Sequence, residues 1–172
     1  MHVTLLKSSH AATYRRLMLE AYEHAADAFT STAEERAREP EAFWVERIAD
    51  PAGLGVAFGA FERDDLVGTV ALEFSAKPKT RHKALVIGMY VAPAARGGGA
   101  GRALLAAAID HAEAREHILR MGLTVTEDNA PALNLYRSAG FEPFGVEPMA
   151  ILTPGGFKNK VHMSRAVTRK HR

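Results

Sequence analysis

The stretch that most narrows what this chain can fold into runs from Ala84 to Thr126. It opens on Leu85-Val86-Ile87-Gly88-Met89-Tyr90-Val91, apolar almost without alternation, which is the pattern of a strand buried on both faces. Pro93 ends that run and Arg96 to Gly101 is rich in glycine. From Arg102 onwards Leu104, Leu105, Ala108, Ile109 and Ala112 recur at helical spacing, in a helix expected to reach roughly to Arg120. Leu123-Thr124-Val125-Thr126 is strand-like again. Strand, helix, strand in this order makes a parallel pair, because parallel neighbours need a crossover connection.

The flanking segments supply antiparallel partners. Val3 to Leu6 reads as a strand, and Leu17, Met18, Ala21, Tyr22 and Ala25 mark a helix between His10 and Asp27. Thr32 with Glu35 three residues on is a capping-box pattern, and Pro40 splits this region into two short helices, the second carrying Phe43, Trp44 and Ile48. Gly55 to Glu62 and Leu66 to Ala76 form a hairpin about Arg63-Asp64-Asp65. Asn129-Ala130-Pro131 opens a helix that Gly140 closes. Phe141 to Val146 and Lys158 to Ala166 supply two last strands around Pro154-Gly155-Gly156. The expected fold class is α/β, a mixed sheet flanked by about four helices, in a single domain over residues 1–166 with a basic tail over 167–172.

Composition removes several functions. Hydrophobic residues at 47% and charged residues at 24% are ordinary for a globular protein. The charge-free run from Ala84 to Ala95 falls short of the ~20 apolar residues of a membrane-spanning helix, so no membrane association is expected. With no cysteine there is no disulfide framework and no thiol nucleophile, and the N-terminus lacks a secretion signal; a cytoplasmic setting fits both. Lys and Arg number 22 against 20 Asp and Glu, which gives no case for a nucleic-acid partner. The basic residues after Glu147 read as a solvated strand and a frayed tail. The histidines are scattered without the spacing of a metal site, and no metal is expected.

The chemistry lies where the apolar strand feeds the glycines. Unpaired N–H groups and the positive end of a helix dipole converge there, which suits a phosphate. Gly97, Gly98, Gly99, Ala100 and Gly101 let an anion approach the backbone, and Arg96 and Arg102 add charge. A Walker loop needs Lys and then Ser or Thr after its last Gly, where this chain has Arg102-Ala103. The dinucleotide pattern G-x-G-x-x-G fails at Arg102 or at Leu104. The pattern that matches is R-x-x-G-x-G, as Arg96, Gly99 and Gly101, directly after a strand ending Val-x-Pro. It resembles the acyl-CoA loop of the GCN5-related N-acetyltransferase (GNAT) superfamily. Asn129 opening a helix that ends Leu135-Tyr136-x-x-x-Gly140-Phe141 is similar to that family's other motif.

The resemblance implies a GNAT-like fold with splayed parallel strands and an enzyme that moves acetyl from acetyl-CoA to a primary amine. The edge at Met89, Tyr90 and Val91 would pair with pantetheine amides as a peptide adds to a sheet, with the diphosphate on the amides of Gly97 to Arg102 and with Asn129 and Tyr136 approaching from the other side. A backbone N–H near Val91 would stabilise the oxyanion. Tyr136 would either protonate the leaving sulfur or simply pack beneath the cofactor. A base must take the amine's proton, and Glu73 and Glu147 are the candidates. O-acylation, a longer acyl-CoA, or a silent CoA-binding module share the same motifs, and a homodimer is common among such proteins.

Overall fold

The computed structural model describes residues 1–169. Residues 170–172, part of the expected tail, lie outside them. The strands are β1 (His2–Leu5), β2 (Gly55–Glu62), β3 (Asp65–Phe74), β4 (Lys83–Val91), β5 (Arg120–Thr126), β6 (Glu142–Thr153) and β7 (Gly156–Ala166). The helices are α1 (Ala11–His24), α2 (Ala33–Ala37), α3 (Glu41–Ala49), α4 (Ala100–Glu113) and α5 (Ala130–Ser138). One sheet holds all seven strands in the order β1-β2-β3-β4-β5-β7-β6. Only β4 and β5 run parallel, and α4 is their crossover.

The α1, α2 and α3 region obeys its local chemistry. Thr32 Oγ1 accepts from the Glu35 N–H at 3.1 Å while the Glu35 carboxylate accepts from the Thr32 N–H at 2.8 Å, the reciprocal bonds of a capping box at the start of α2. Pro40 then caps α3, whose Trp44 and Ile48 pack with Tyr14, Leu17, Met18 and Ala21 of α1 against Ala57, Ala71 and Tyr90. The opposite face of the sheet carries the larger core, in which Leu104, Leu105, Ala108 and Ala112 of α4 cover Val70, Leu72, Val86, Leu123 and Val125.

Three expectations are corrected. α4 ends at Glu113, not near Arg120, because Arg115 leaves the helical course to donate to the Gly53 carbonyl at 2.9 Å and to lie over the Phe74 ring, 3.7 Å from its centroid. β4 is not uniformly buried: Leu85 is exposed while Ala84 and Val86 are buried. Its long apolar run has a different cause, a bulge in which Gly88 (φ +60°) and Met89 stand opposite Val70 alone. Ahead of the bulge Ala84 and Val86 face α4; beyond it Met89 and Val91 do, and Tyr90 turns to α1. Both parities of the strand therefore need apolar side chains. Finally, the chain past β7 is tied down as far as it is described, since the Val167 N–H donates to the Leu119 carbonyl at 3.0 Å and Arg169 bonds the Glu116 carbonyl.

Candidate functional site

The parallel ladder between β4 and β5 is three residue pairs long, Lys83 with Arg120, Ala84 with Met121 and Leu85 with Gly122. Beyond Leu85 the bulge swings β4 away, while β5 continues in register with β7 to Thr126. The two central strands thus part, leaving the facing backbone edges of Val86–Val91 and Leu123–Thr126 without a ladder partner in each other. Edges of this kind accept an extended ligand that carries amides.

The glycine turn closes one end of this opening. Gly97 and Gly99 have φ of +85° and +83°, a conformation that only glycine adopts without strain, and a Cβ on Gly97, Gly98 or Gly99 would meet nothing within 4 Å. Open space therefore lies before the first amides of α4, whose Ncap is Gly99 and whose Ala100 is buried beneath them. A Cβ on Gly101 would lie 3.5 Å from Leu135 Cδ2, 3.7 Å from Met89 Cε and 4.0 Å from Val91 Cγ2, so α4, β4 and α5 converge at this one residue. Arg102 lines the rim of a groove of about 610 Å³ between α4 and α5 and is exposed there. These features fit a diphosphate joined to a narrow chain: bare amides at a helix start, room above them, and a slot leading between the strands.

Arg96 is turned differently. Its Nε–H donates to the Val91 carbonyl at 2.9 Å and its guanidinium lies over the Tyr90 ring, so it braces the end of β4. The Tyr90 side chain is buried on the α1 face and donates to Glu20 at 3.1 Å, which leaves only its backbone for the opening. Asn129 caps α5, its Oδ1 accepting from the Ala132 N–H at 3.3 Å. Tyr136, 7% exposed, packs edge-on to Phe141, and burial pushes its hydroxyl up to about 12. It stays a proton donor at any working pH.

The two candidate bases share the sheet face away from α4, on either side of the opening. Glu73 on β3 is exposed opposite Leu85 and lines a groove of about 470 Å³ with Leu85, Gly122 and Phe144. Glu147 lies within β6, and its carboxylate bonds His162 Nε2 at 2.9 Å. His162 pairs in register with Thr124 on the β5 edge of the opening. This histidine was not expected to take part. The alternation Val161, Met163 against Lys160, His162, Ser164 does separate a buried from an open face of β7 and was the available signal.

Residues 18–141 match the model of the Acetyltransferase (GNAT) family. The chain belongs to the GNAT acetyltransferases. It is 30% identical over 122 residues, 71% of this chain and 74% of the relative, to the L-amino acid N-acetyltransferase AaaT of Escherichia coli. A GCN5-related N-acetyltransferase from Kribbella flavida superposes with a TM-score of 0.80 at 25% identity, over 96% of either chain. The Salmonella typhimurium protein yncA, solved with its cofactor acetyl-CoA, has the same fold at a TM-score of 0.80 and 21% identity, over 100% of this chain and 96% of that one. The acetyltransferase assignment and the mixed α/β fold expected from the two motifs hold, with five helices rather than four.

Proposed function

We propose that this GNAT acetyltransferase uses acetyl-CoA to acetylate a primary amine of a small molecule or peptide, by direct attack within a ternary complex. The observation that carries the reading is the opening between β4 and β5, set directly beside the glycine-flanked start of α4. The amides of Gly97 to Arg102 hold the diphosphate, and the free edges of Met89 to Val91 and of β5 receive the pantetheine amides. Charge from Arg102 assists at the diphosphate, whereas Arg96 acts through its grip on Val91.

The amine nitrogen forms its bond to the acetyl carbonyl carbon as the carbon–sulfur bond breaks, and CoA leaves as its thiol. Tyr136 donates toward the departing sulfur; with a hydroxyl near 12 against ~8.5 for a thiol, its contribution is a hydrogen bond more than a completed transfer. Asn129 keeps α5, and hence Tyr136, in place. Glu73 or the Glu147–His162 pair receives the amine's proton from the opposite face. The Escherichia coli relative, named for L-amino acids, supports an amine as acceptor. The exposed apolar edge of β6, with Phe144, Val146, Met149 and Leu152, supports a homodimer.

The test is to incubate the protein and acetyl-CoA with pooled polyamines, amino acids, aminoglycosides and peptides, and to monitor both free thiol and mass. One added acetyl group on an amine is expected. Binding of acetyl-CoA with no thiol released for any pool would refute the transferase reading and favour a CoA-binding module.

A further inference from the structure

On the side of β4 away from α4, the bulge at Gly88 sits beneath an arginine with no acid to balance it. The Arg47 side chain of α3 reaches across to β4, so that a Cβ on Gly88 would lie 3.9 Å from its Nη2, 3.5 Å from the Tyr14 hydroxyl and 3.8 Å from Met18 Cε. Arg47 Nε–H donates to the Tyr14 hydroxyl at 3.3 Å, and its other four N–H groups make no hydrogen bond among the described residues. No carboxylate of the described residues comes within 4.0 Å of it.

The surroundings are rich in donors. Tyr14 is fully buried, and burial pushes its hydroxyl up to about 12, so it carries no negative charge to offset the guanidinium. In the same aromatic cluster the Tyr22 hydroxyl and the Trp44 indole N–H are buried without a partner. Half-buried guanidinium groups are ordinarily matched by an anion, since removing charge from water without compensation is costly. Here the protein provides donors on every side and leaves out the acceptor.

We propose that Arg47 and Tyr14 form a carboxylate subsite above Gly88, and that the acceptor of this transferase is a small amine of the amino-acid class. The inference rests on the transferase reading above. A planar carboxylate fits the fork of a guanidinium with two parallel bonds, and a single negative charge balances a single arginine. Gly88 lies in the part of β4 that has left β5, so a molecule anchored there presents an amine a few bonds away to the opening. Glu73, on the same sheet face and near enough to act on Arg47 through its charge, supplies the complementary attraction for an ammonium group. Glycine at position 88 has two reasons: φ of +60°, and the room its missing side chain leaves before Arg47.

The test uses saturation-transfer NMR on the CoA-loaded protein, with one mixture of L-amino acids and a second mixture of their primary amides. Saturation is expected to reach acids and not amides. Arg47→Met should weaken the acids tenfold or more, as loss of a charged hydrogen bond does, with CoA signals unchanged, and Arg47→Lys should retain part of the binding. Tyr14→Phe, which keeps the buried ring, should give a smaller loss in the same direction even if Arg47→Met unfolds. Equal response to acids and amides, no response to either, or full acid binding by Arg47→Met overturns the subsite. Thiol release measured on the same samples separates the two readings. Acid-selective binding without thiol release refutes the transferase and leaves the subsite, whereas equal turnover of amides and acids refutes the subsite and leaves the transferase.

Discussion

Gly99 and Gly101 lie two residues apart, yet alanine at the two positions should have opposite effects on stability. At Gly101 the new methyl would lie at ordinary contact distance, 3.5–4.0 Å, from Leu135, Met89 and Val91, and no positive φ opposes it. Alanine in a helix is favoured over glycine by roughly 0.5–1 kcal/mol, so Gly101→Ala should hold or raise Tm, by up to about 4 °C. The same methyl occupies the slot where the pantetheine chain would pass. Crowding of that kind costs about 1–3 kcal/mol, equivalent to roughly 5- to 150-fold weaker acetyl-CoA. Gly99 is the reverse case: a methyl there meets nothing within 4 Å, but φ of +83° imposes about 1–2 kcal/mol of strain and a lower Tm. Thermal melts and calorimetric titration with acetyl-CoA read both effects. A Gly101→Ala protein that melts no lower and binds acetyl-CoA as tightly as wild type would refute this placement of the cofactor.

Three further outcomes are expected. Tyr136→Phe should keep acetyl-CoA affinity while kcat falls by about 10²–10⁴, the usual contribution of a positioned proton donor, and the wild-type rate should show no basic limb from this group below about pH 11, since its hydroxyl titrates near 12; an undiminished kcat leaves Tyr136 a packing role only. Glu73→Gln and Glu147→Gln, compared by pH–rate profile, should separate the candidate bases, with loss of the acidic limb in one and an unchanged profile eliminating the other; His162→Gln should behave as Glu147→Gln does if their 2.9 Å contact works as a unit. His111, whose ring burial and the neighbouring Arg115 hold below the usual 6.5, binds its proton less readily in the folded chain than in the unfolded one. Stability should therefore fall as pH drops below about 6.5, and His111→Gln should lose that part of the slope in urea titrations taken at several pH values; an unaltered slope would count against it.

The parts of this molecule that are local in sequence were legible there. The capping box at Thr32 and Glu35, the break at Pro40, the Asn129 cap and the left-handed Gly140 all depend on neighbours within a few residues, and they occur where those signals lie. The glycine turn was legible for the same reason. The bulge at Gly88 was not, because an added residue exchanges the two faces of a strand and so imitates burial on both. The end of α4 carries no Gly or Pro, and Arg115 stops it through contacts with Gly53 and Phe74 that lie far away in the chain. β6 extends to Thr153 although almost every residue in it is exposed, since pairing with β7 and not a buried face holds it. Glu147 meets His162 only through that hairpin's register, and Arg47 meets Tyr14 only when α3 packs beside α1.

Cofactor binding of the kind proposed for this protein requires a split parallel ladder paired with a helix start made of bare amides. A crystal structure of the CoA complex tests that most directly. It should show the diphosphate against the N–H groups of Gly97 to Arg102 and the pantetheine lying between the β4 edge, Val86–Val91, and the β5 edge, Leu123–Thr126. A diphosphate held anywhere else, with those two edges bonded to no part of the cofactor, would contradict it.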